Sequence, residues 1–327
     1  MSLSDTPGTT ENPAIHAVAD CGGTHTRLEL WRGDELLVTE NLGSANTAAT
    51  SDTEAARIYA ELVGHIASRV PDPVDTYVAT AGFDDPTADR LAEMFADAVR
   101  EHRYLGRIHL FNDILPLLFT DEPGSESVAA IIGTGSAFWA RNAQDDITRV
   151  GGVEWVASDE GAAVDVGRRG LVAMVRAADG RGEATTITAR AGLDDAGALR
   201  LARELGQDSR PKKHLAVLAR AVTTAWEEDD DAVAGRIMAS VVEQVEESFA
   251  AAARNLADPA AATWVICGGL VGGCLPYQRL VLGACARASG GAAQVHVVEN
   301  ALGALRSFAA RGCASRVGNR YRRTVVS

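Results

Sequence analysis

One short pattern occurs twice in this chain of 327 residues: an apolar run, a glycine turn, then a second apolar run of strand character. Residues 15–19 pass through Asp20-Cys21-Gly22-Gly23-Thr24 into 27–31, and residues 128–132 pass through Gly133-Thr134-Gly135-Ser136 into 137–141. Glycine turns between strand-like runs predict antiparallel hairpins. A lone hairpin is marginal in water, so each needs a larger sheet to bury its apolar side. Repetition of the element in both halves predicts two related domains facing each other. A chain of this length is long enough for two cores.

The remaining segments fill in those domains. After the first hairpin, 36–39 reads as a third strand. Ser51 with Glu54 forms a capping box that opens a helix to about residue 70. A strand over 75–80, a helix over 87–102 and a strand over 107–111 follow. Three meandering strands and then helix, strand, helix, strand is a ribonuclease-H-like α/β arrangement. The second half begins near Pro123 and continues with helices over 161–177, 193–205 and 214–226. Asp229-Asp230-Asp231 precede Ile237, Met238, Val241, Val245 and Phe249, which recur at helical spacing, so the acidic run reads as a helix cap rather than a metal site. A strand over 263–267, a helix over 276–288, a strand over 295–298 and a helix over 300–310 complete the pattern. The expected organisation is a flexible leader over 1–13 and a first domain over 14–120. A second domain covers 121–299, a helix over about 300–311 packs back on the first, and a basic tail covers 312–327. That tail, with Arg316, Arg320, Arg322 and Arg323, reads as solvated.

Composition excludes several roles. The chain carries 44 acidic and 31 basic residues, a net charge of −13, which disfavours nucleic-acid and anionic-membrane binding. A phosphorylated small molecule is not disfavoured, since a pocket needs only local amides or a metal. The cysteines, five in all, include no CxxC, which argues against a disulfide framework, structural zinc or an iron–sulfur site. The long uncharged run over 259–278 holds Gly268, Gly269, Gly272, Gly273 and Pro276, so it reads as strand, turn and helix start rather than a membrane span. The opening residues are polar without a signal-peptide pattern, and the expected location is cytoplasmic.

Four segments carry chemistry. Asp20 ends a strand, Gly22 and Gly23 let backbone approach a ligand, and Thr24 and Thr26 add hydroxyls; this suits phosphate oxygens with a hydrated magnesium ion on Asp20. Gly133, Thr134, Gly135 and Ser136 repeat the device, and two such turns would clamp the phosphates of a nucleotide. Gly268 and Gly269 offer flat backbone to an adenosine. Asn112 and Asp113 end the strand over 107–111, where a carboxylate can take a proton from an attacking hydroxyl. Taken singly, the glycine segments read equally well as tight turns or close packing, and Asp113 as a helix cap.

In this order, the four segments resemble the ASKHA superfamily of sugar kinases, heat-shock ATPases and actins. The stretch Gly151-Gly152-Val153-Glu154-Trp155-Val156-Ala157-Ser158-Asp159-Glu160-Gly161-Ala162, with Asp165-Val166-Gly167-Arg168-Arg169, resembles the "GGWGxxLGDEGSGYxIGR" segment of the BadF/BadG/BcrA/BcrD family. That family contains N-acetylglucosamine and glucosamine kinases. The resemblance implies ATP and Mg2+ as cofactors, with Asp20 ordering the ion through water. It implies Asp113 as the base that deprotonates a sugar 6-hydroxyl, and Gly22, Gly23, Thr24, Thr26 and 133–136 as phosphate loops. Gly268 and Gly269 would meet adenosine. Asn46 of Gly43-Ser44-Ala45-Asn46, together with Asn112, Asp113, Asp159 and Glu160, would bind the sugar. A homodimer is compatible with the resemblance. Val153, Glu154, Ser158 and Ala162 depart from the family pattern, and Glu154 beside the pocket would favour a free ammonium on the substrate. The same family also contains ATPases that activate a partner enzyme without phosphorylating a sugar.

Overall fold

The computed structural model describes residues 14–22, 25–46, 50–84, 86–120, 122–291, 294–299 and 301–327. Residues cluster into two compact units, Met1–Asn112 with Asn319–Ser327, and Asp113–Gly318. The leader over 1–13 lies outside the described residues.

The first unit runs β1 (Ile15–Cys21), β2 (Thr26–Arg32), β3 (Glu35–Leu42), α1 (Asp52–Arg69), β4 (Val74–Thr80), α2 (Ala88–His102) and β5 (Gly106–Asn112). The Ser51 hydroxyl accepts the Glu54 amide at 3.2 Å and starts α1, as its capping box requires. Ile58, Leu62 and Ile66 then recur one turn apart on α1, as Leu91, Phe95 and Val99 do on α2, and these stripes are buried against Ala17, Ala19, Leu28 and Leu30 of the sheet. The Tyr59 and Phe95 rings join the two helices at 4.3 Å between centroids.

The second unit runs α3 (Leu115–Leu118), β6 (Ser127–Ile132), β7 (Ser136–Arg141), β8 (Ile147–Gly151), α4 (Ala163–Ala178), α5 (Ile187–Arg190), α6 (Asp195–Leu205), α7 (Lys212–Glu228) and α8 (Ala232–Ala253). It continues with β9 (Thr263–Cys267), α9 (Gly269–Gly273), α10 (Leu275–Ala288), β10 (Gln294–Val298) and α11 (Leu302–Ala310). The Asp231 carboxylate accepts the Ala234 amide at 2.8 Å and the Thr186 amide at 2.7 Å, so the acidic run does cap α8.

The repeat seen in the sequence is a repeat of topology. One sheet has the order β11-β5-β4-β1-β2-β3 and the other β10-β9-β6-β7-β8. In each, the strand before the glycine turn is central, antiparallel to its hairpin partner and parallel to the strand on its other side. These are two ribonuclease-H-like sheets, and the expected fold class holds. β8 was not anticipated, because all its residues are half-buried and give no clean alternation.

The C-terminal residues correct the sequence reading. The stretch read as a solvated basic tail ends in β11 (Arg322–Val326), paired antiparallel with β5. That pairing covers an otherwise open sheet edge, and the Arg323 guanidinium reaches Asp89 at 2.6 Å. The compact units divide between Asn112 and Asp113, and α11 falls in the second, where it lies on α3 through the Phe308 and Phe119 rings.

Close packing of α4 on α7 depends on glycine. A Cβ on Gly167 would lie 1.8 Å from the Leu215 carbonyl oxygen, and one on Gly170 would lie 2.4 Å from Val222 Cγ2. Gly235 in α8 has room, with Trp226 Cδ1 at 3.8 Å as the nearest atom. Gly167→Ala is expected to destabilise the protein by about 2–4 kcal/mol through forced helix separation. Gly235→Ala is expected to stabilise it by about 0.5–1 kcal/mol. Denaturant midpoints measure both, and equal shifts would contradict this account of the α4–α7 contact.

Candidate functional site

The first unit presents its polar groups where the parallel strands end. Cys21 of β1 is paired with Thr80 of β4, and Thr80 with Asn112 of β5, so Asp20 and Asn112 share one edge of the sheet, two strands apart. Asn112 donates through Nδ2 to the Phe83 carbonyl at 2.9 Å, which fixes its side chain, and Asp113 is the next residue of the chain. Ile114, not Asp113, holds the N-cap position of α3. Burial raises the Asp20 carboxyl to about 6, with His25 acting in the opposite direction. Among the described residues, Asp20 has no ion-pair partner within 4 Å. Arg27 stands opposite Asp20 in the β1–β2 ladder, and its Nε is buried with no acceptor among the described residues. Neither the position nor the unpaired donor of Arg27 was evident from sequence.

The hairpin closes through the Gly22 amide, which donates to the His25 carbonyl at 3.1 Å. Gly23 and Thr24 lie outside the described residues. Thr26 departs from the expectation: it is fully buried on the same strand face as Leu28, with no partner for its hydroxyl among the described residues, so it faces the core rather than a ligand. The 43–46 segment does come to this hairpin. Ser44 donates to the Gly22 carbonyl at 3.4 Å, Tyr59 donates to the Ala45 carbonyl at 2.9 Å, and Asn46 follows directly.

The second unit assembles its glycine segments tightly. Within the 133–136 turn the Gly133 amide donates to the Gly135 carbonyl at 2.9 Å. The amides of Ala163 and Val164, at the start of α4, donate to the Gly133 and Thr134 carbonyls at 2.8 and 3.2 Å. Asp159 accepts the Ser136 amide at 3.0 Å, and the Ser136 hydroxyl donates to the Glu160 carbonyl at 2.7 Å. With the turn held by these bonds, the amides of Thr134 and Gly135 donate to no group among the described residues. Gly268 has φ +127°, and a Cβ there would lie 2.4 Å from the Ile132 carbonyl, so the expected adenosine turn abuts the strand that feeds the phosphate turn.

Asp159 and Glu160 do different things. Asp159 is buried, sits at φ +68° and reaches Lys212 Nζ at 2.9 Å. Glu160 serves the turn through its main-chain carbonyl. Glu154, expected to meet a substrate ammonium, already has a cation: Lys212 lies 3.4 Å from it. Lys212 had no sequence signal, since it lies far along the chain on another helix. In the same loop as Glu154, Val153 and Val156 are 74% and 79% exposed.

No group of three or more His, Cys, Asp or Glu side chains among the described residues is arranged to hold a metal ion. The part-buried Asp20 carboxylate does fit magnesium, which takes one or two carboxylates and fills its remaining positions with water and phosphate. The five cysteines are buried and none is in a disulfide, and burial, with Glu227 beside it, pushes the Cys274 thiol up to about 12. No helix among the described residues is long and apolar enough to cross a membrane.

Known proteins resemble this chain in sequence and in fold. A curated N-acetylmuramic acid/N-acetylglucosamine kinase of Clostridium acetobutylicum is 28% identical over 173 residues, 51% of this chain and 56% of that protein, so the match spans little more than half of the relative. A crystal structure of a proposed N-acetylglucosamine kinase from Chromobacterium violaceum superposes with a TM-score of 0.66 at 20% identity, covering 90% of this chain and 99% of that one. A Schistosoma mansoni hexokinase with bound glucose superposes with a TM-score of 0.55 at 12% identity, covering 94% of this chain and 87% of that one. These structures share the two-sheet sugar-kinase fold. The model of the BadF/BadG/BcrA/BcrD ATPase family matches residues 19–282, and the chain belongs to that family.

Proposed function

We propose that the protein is an ATP-dependent kinase that phosphorylates the 6-hydroxyl of an amino sugar, N-acetylglucosamine or glucosamine, or of a closely related ring. The observation that carries this reading is the 133–136 turn, which is fixed by bonds to α4 and Asp159 yet leaves the Thr134 and Gly135 amides unengaged among the described residues. Adjacent amides fixed in place before a ligand arrives are suited to phosphate oxygens, and they cost no reorganisation during transfer. Family membership supports ATP as the donor, and the Clostridium relative supports a hexosamine acceptor.

In this reading the Thr134 and Gly135 amides bind the β- and γ-phosphates, and Gly268 and Gly269 receive the adenosine. Asp20 would hold a magnesium ion, which would offset charge on the phosphates. Asn46, Asn112 and Asp159 accept and donate hydrogen bonds to sugar hydroxyls. Asp113 takes the proton of the attacking hydroxyl as its oxygen bonds to the γ-phosphorus. The bond from that phosphorus to the bridging oxygen breaks, and its electron pair leaves on ADP.

A panel of hexoses, hexosamines and their N-acetyl derivatives with ATP is expected to show ADP release that depends on the sugar. Release that ignores every sugar and needs a protein partner would overturn the reading. Asp113→Asn is expected to lower kcat by about 10³-fold or more with nucleotide binding retained. Transfer at near wild-type rate would remove Asp113 from the base role.

Asp20 gives a pH-dependent test. Its carboxyl holds a proton to about 6 in the folded state, against 3.8 for an ordinary aspartate. The folded state therefore binds more protons between those values. Stability contributed by Asp20 below 3.8 is lost as pH rises through about 6. Asp20→Asn removes that loss, so its stability relative to wild type is expected to rise by about 1–3 kcal/mol between pH 4 and 7. Magnesium with ADP is expected to raise the Tm of wild type and not of the variant. A stability difference that is flat with pH would contradict the burial argument.

A further inference from the structure

Lys212 is the first residue of α7, and its ammonium lies 2.9 Å from Asp159 Oδ2 and 3.4 Å from Glu154 Oε2. The Asp159 side chain is 4% exposed and that of Lys212 20%, whereas Glu154 is 56% exposed. A carboxylate so buried needs a compensating charge, and Lys212 supplies it. The two oxygens of Asp159 are used unequally. Oδ1 accepts the Ser136 amide at 3.0 Å. Oδ2 is buried with the ammonium 2.9 Å away and accepts no hydrogen bond among the described residues, so it keeps unused hydrogen-bonding capacity. A hydroxyl is the donor that such an oxygen suits, and an acceptor sugar brings several.

We propose that Lys212 is a positioning residue for the acceptor sugar: it neutralises Asp159 and fixes Oδ2 as the acceptor for a sugar hydroxyl. This inference rests on the kinase reading and on Asp159 as a sugar ligand. Ser136 keeps its place without Lys212, because its hydroxyl also binds the Glu160 carbonyl and its backbone is in register with Ile132. Loss of the ammonium therefore acts on the sugar more than on the nucleotide. The left-handed backbone of Asp159 leaves the side chain dependent on its partners, and without a cation the carboxylate turns toward water.

Steady-state kinetics of Lys212→Met and Lys212→Arg, with the best sugar of the panel, test this. Lys212→Met is expected to raise the sugar KM by about 10-fold or more, with the MgATP KM within about 2-fold of wild type. Lys212→Arg keeps the charge and is expected to recover the sugar KM to within about 3-fold. In an Asp159→Asn background, Lys212→Met is expected to add little, because the two residues act as a unit. An unchanged sugar KM in Lys212→Met overturns the proposal. So does a parallel loss for sugar and MgATP that tracks a fall in Tm and that arginine does not rescue, since that marks a structural role. A wild-type protein that phosphorylates no sugar overturns the kinase reading and this inference with it.

Discussion

The Asp159 carboxylate, buried and on a left-handed backbone, receives the Ser136 amide at 3.0 Å and faces the Lys212 ammonium at 2.9 Å. Three elements meet at these contacts: the turn between β6 and β7, the glycine-bounded loop before α4, and the first residue of α7. A non-glycine residue in this conformation costs on the order of 1–3 kcal/mol and persists only where its surroundings hold it. Gly135 is part of that holding. A Cβ there would lie 2.9 Å from Asp159 Oδ2, so a side chain at Gly135 would displace the carboxylate that fixes the turn. The turn and the loop therefore specify each other, and the Thr134 and Gly135 amides are fixed as a by-product.

The shared strand order explains why such turns occur twice. In each sheet a buried central strand ends at a glycine turn, with a parallel strand beside it and a hairpin partner on the other side. Strand ends at such an edge expose backbone N–H groups and side chains without breaking the core. A net charge of −13 is no obstacle to a polyphosphate there, because dipoles and fixed charges within a few ångströms outweigh a diffuse surface charge screened over about 8–10 Å.

The hairpins, the helices with clear apolar stripes and the Asp231 cap were legible because their signals are local. β11 was not: its pairing with β5 joins residues at opposite ends of the chain, and five arginines in the C-terminal stretch pointed toward solvent. Thr26 shows a second limit. Alternation places neighbouring strand residues on opposite faces, and the hydroxyl grouped with the phosphate loop falls on the core side with Leu28. Glu154 shows a third. A charge beside a pocket means little until its partner is known, and that partner, Lys212, has no fixed spacing from it.

The two glycine turns are alike in backbone and opposed in electrostatics. In the first, the Gly22 amide is spent on closing the hairpin, and Asp20 lies part-buried without an ion-pair partner among the described residues. In the second, the Thr134 and Gly135 amides are unspent, and the nearby carboxylate, Asp159, has its cation in place. An uncompensated carboxylate gains from a cation, and unspent amides gain from an anion. Under the proposed kinase reading, the first turn suits a magnesium ion and the second suits phosphate oxygens. One repeated element can serve both needs because charge is set by the residues around the glycines, Asp20 in one copy and Lys212 in the other, while the backbone stays the same.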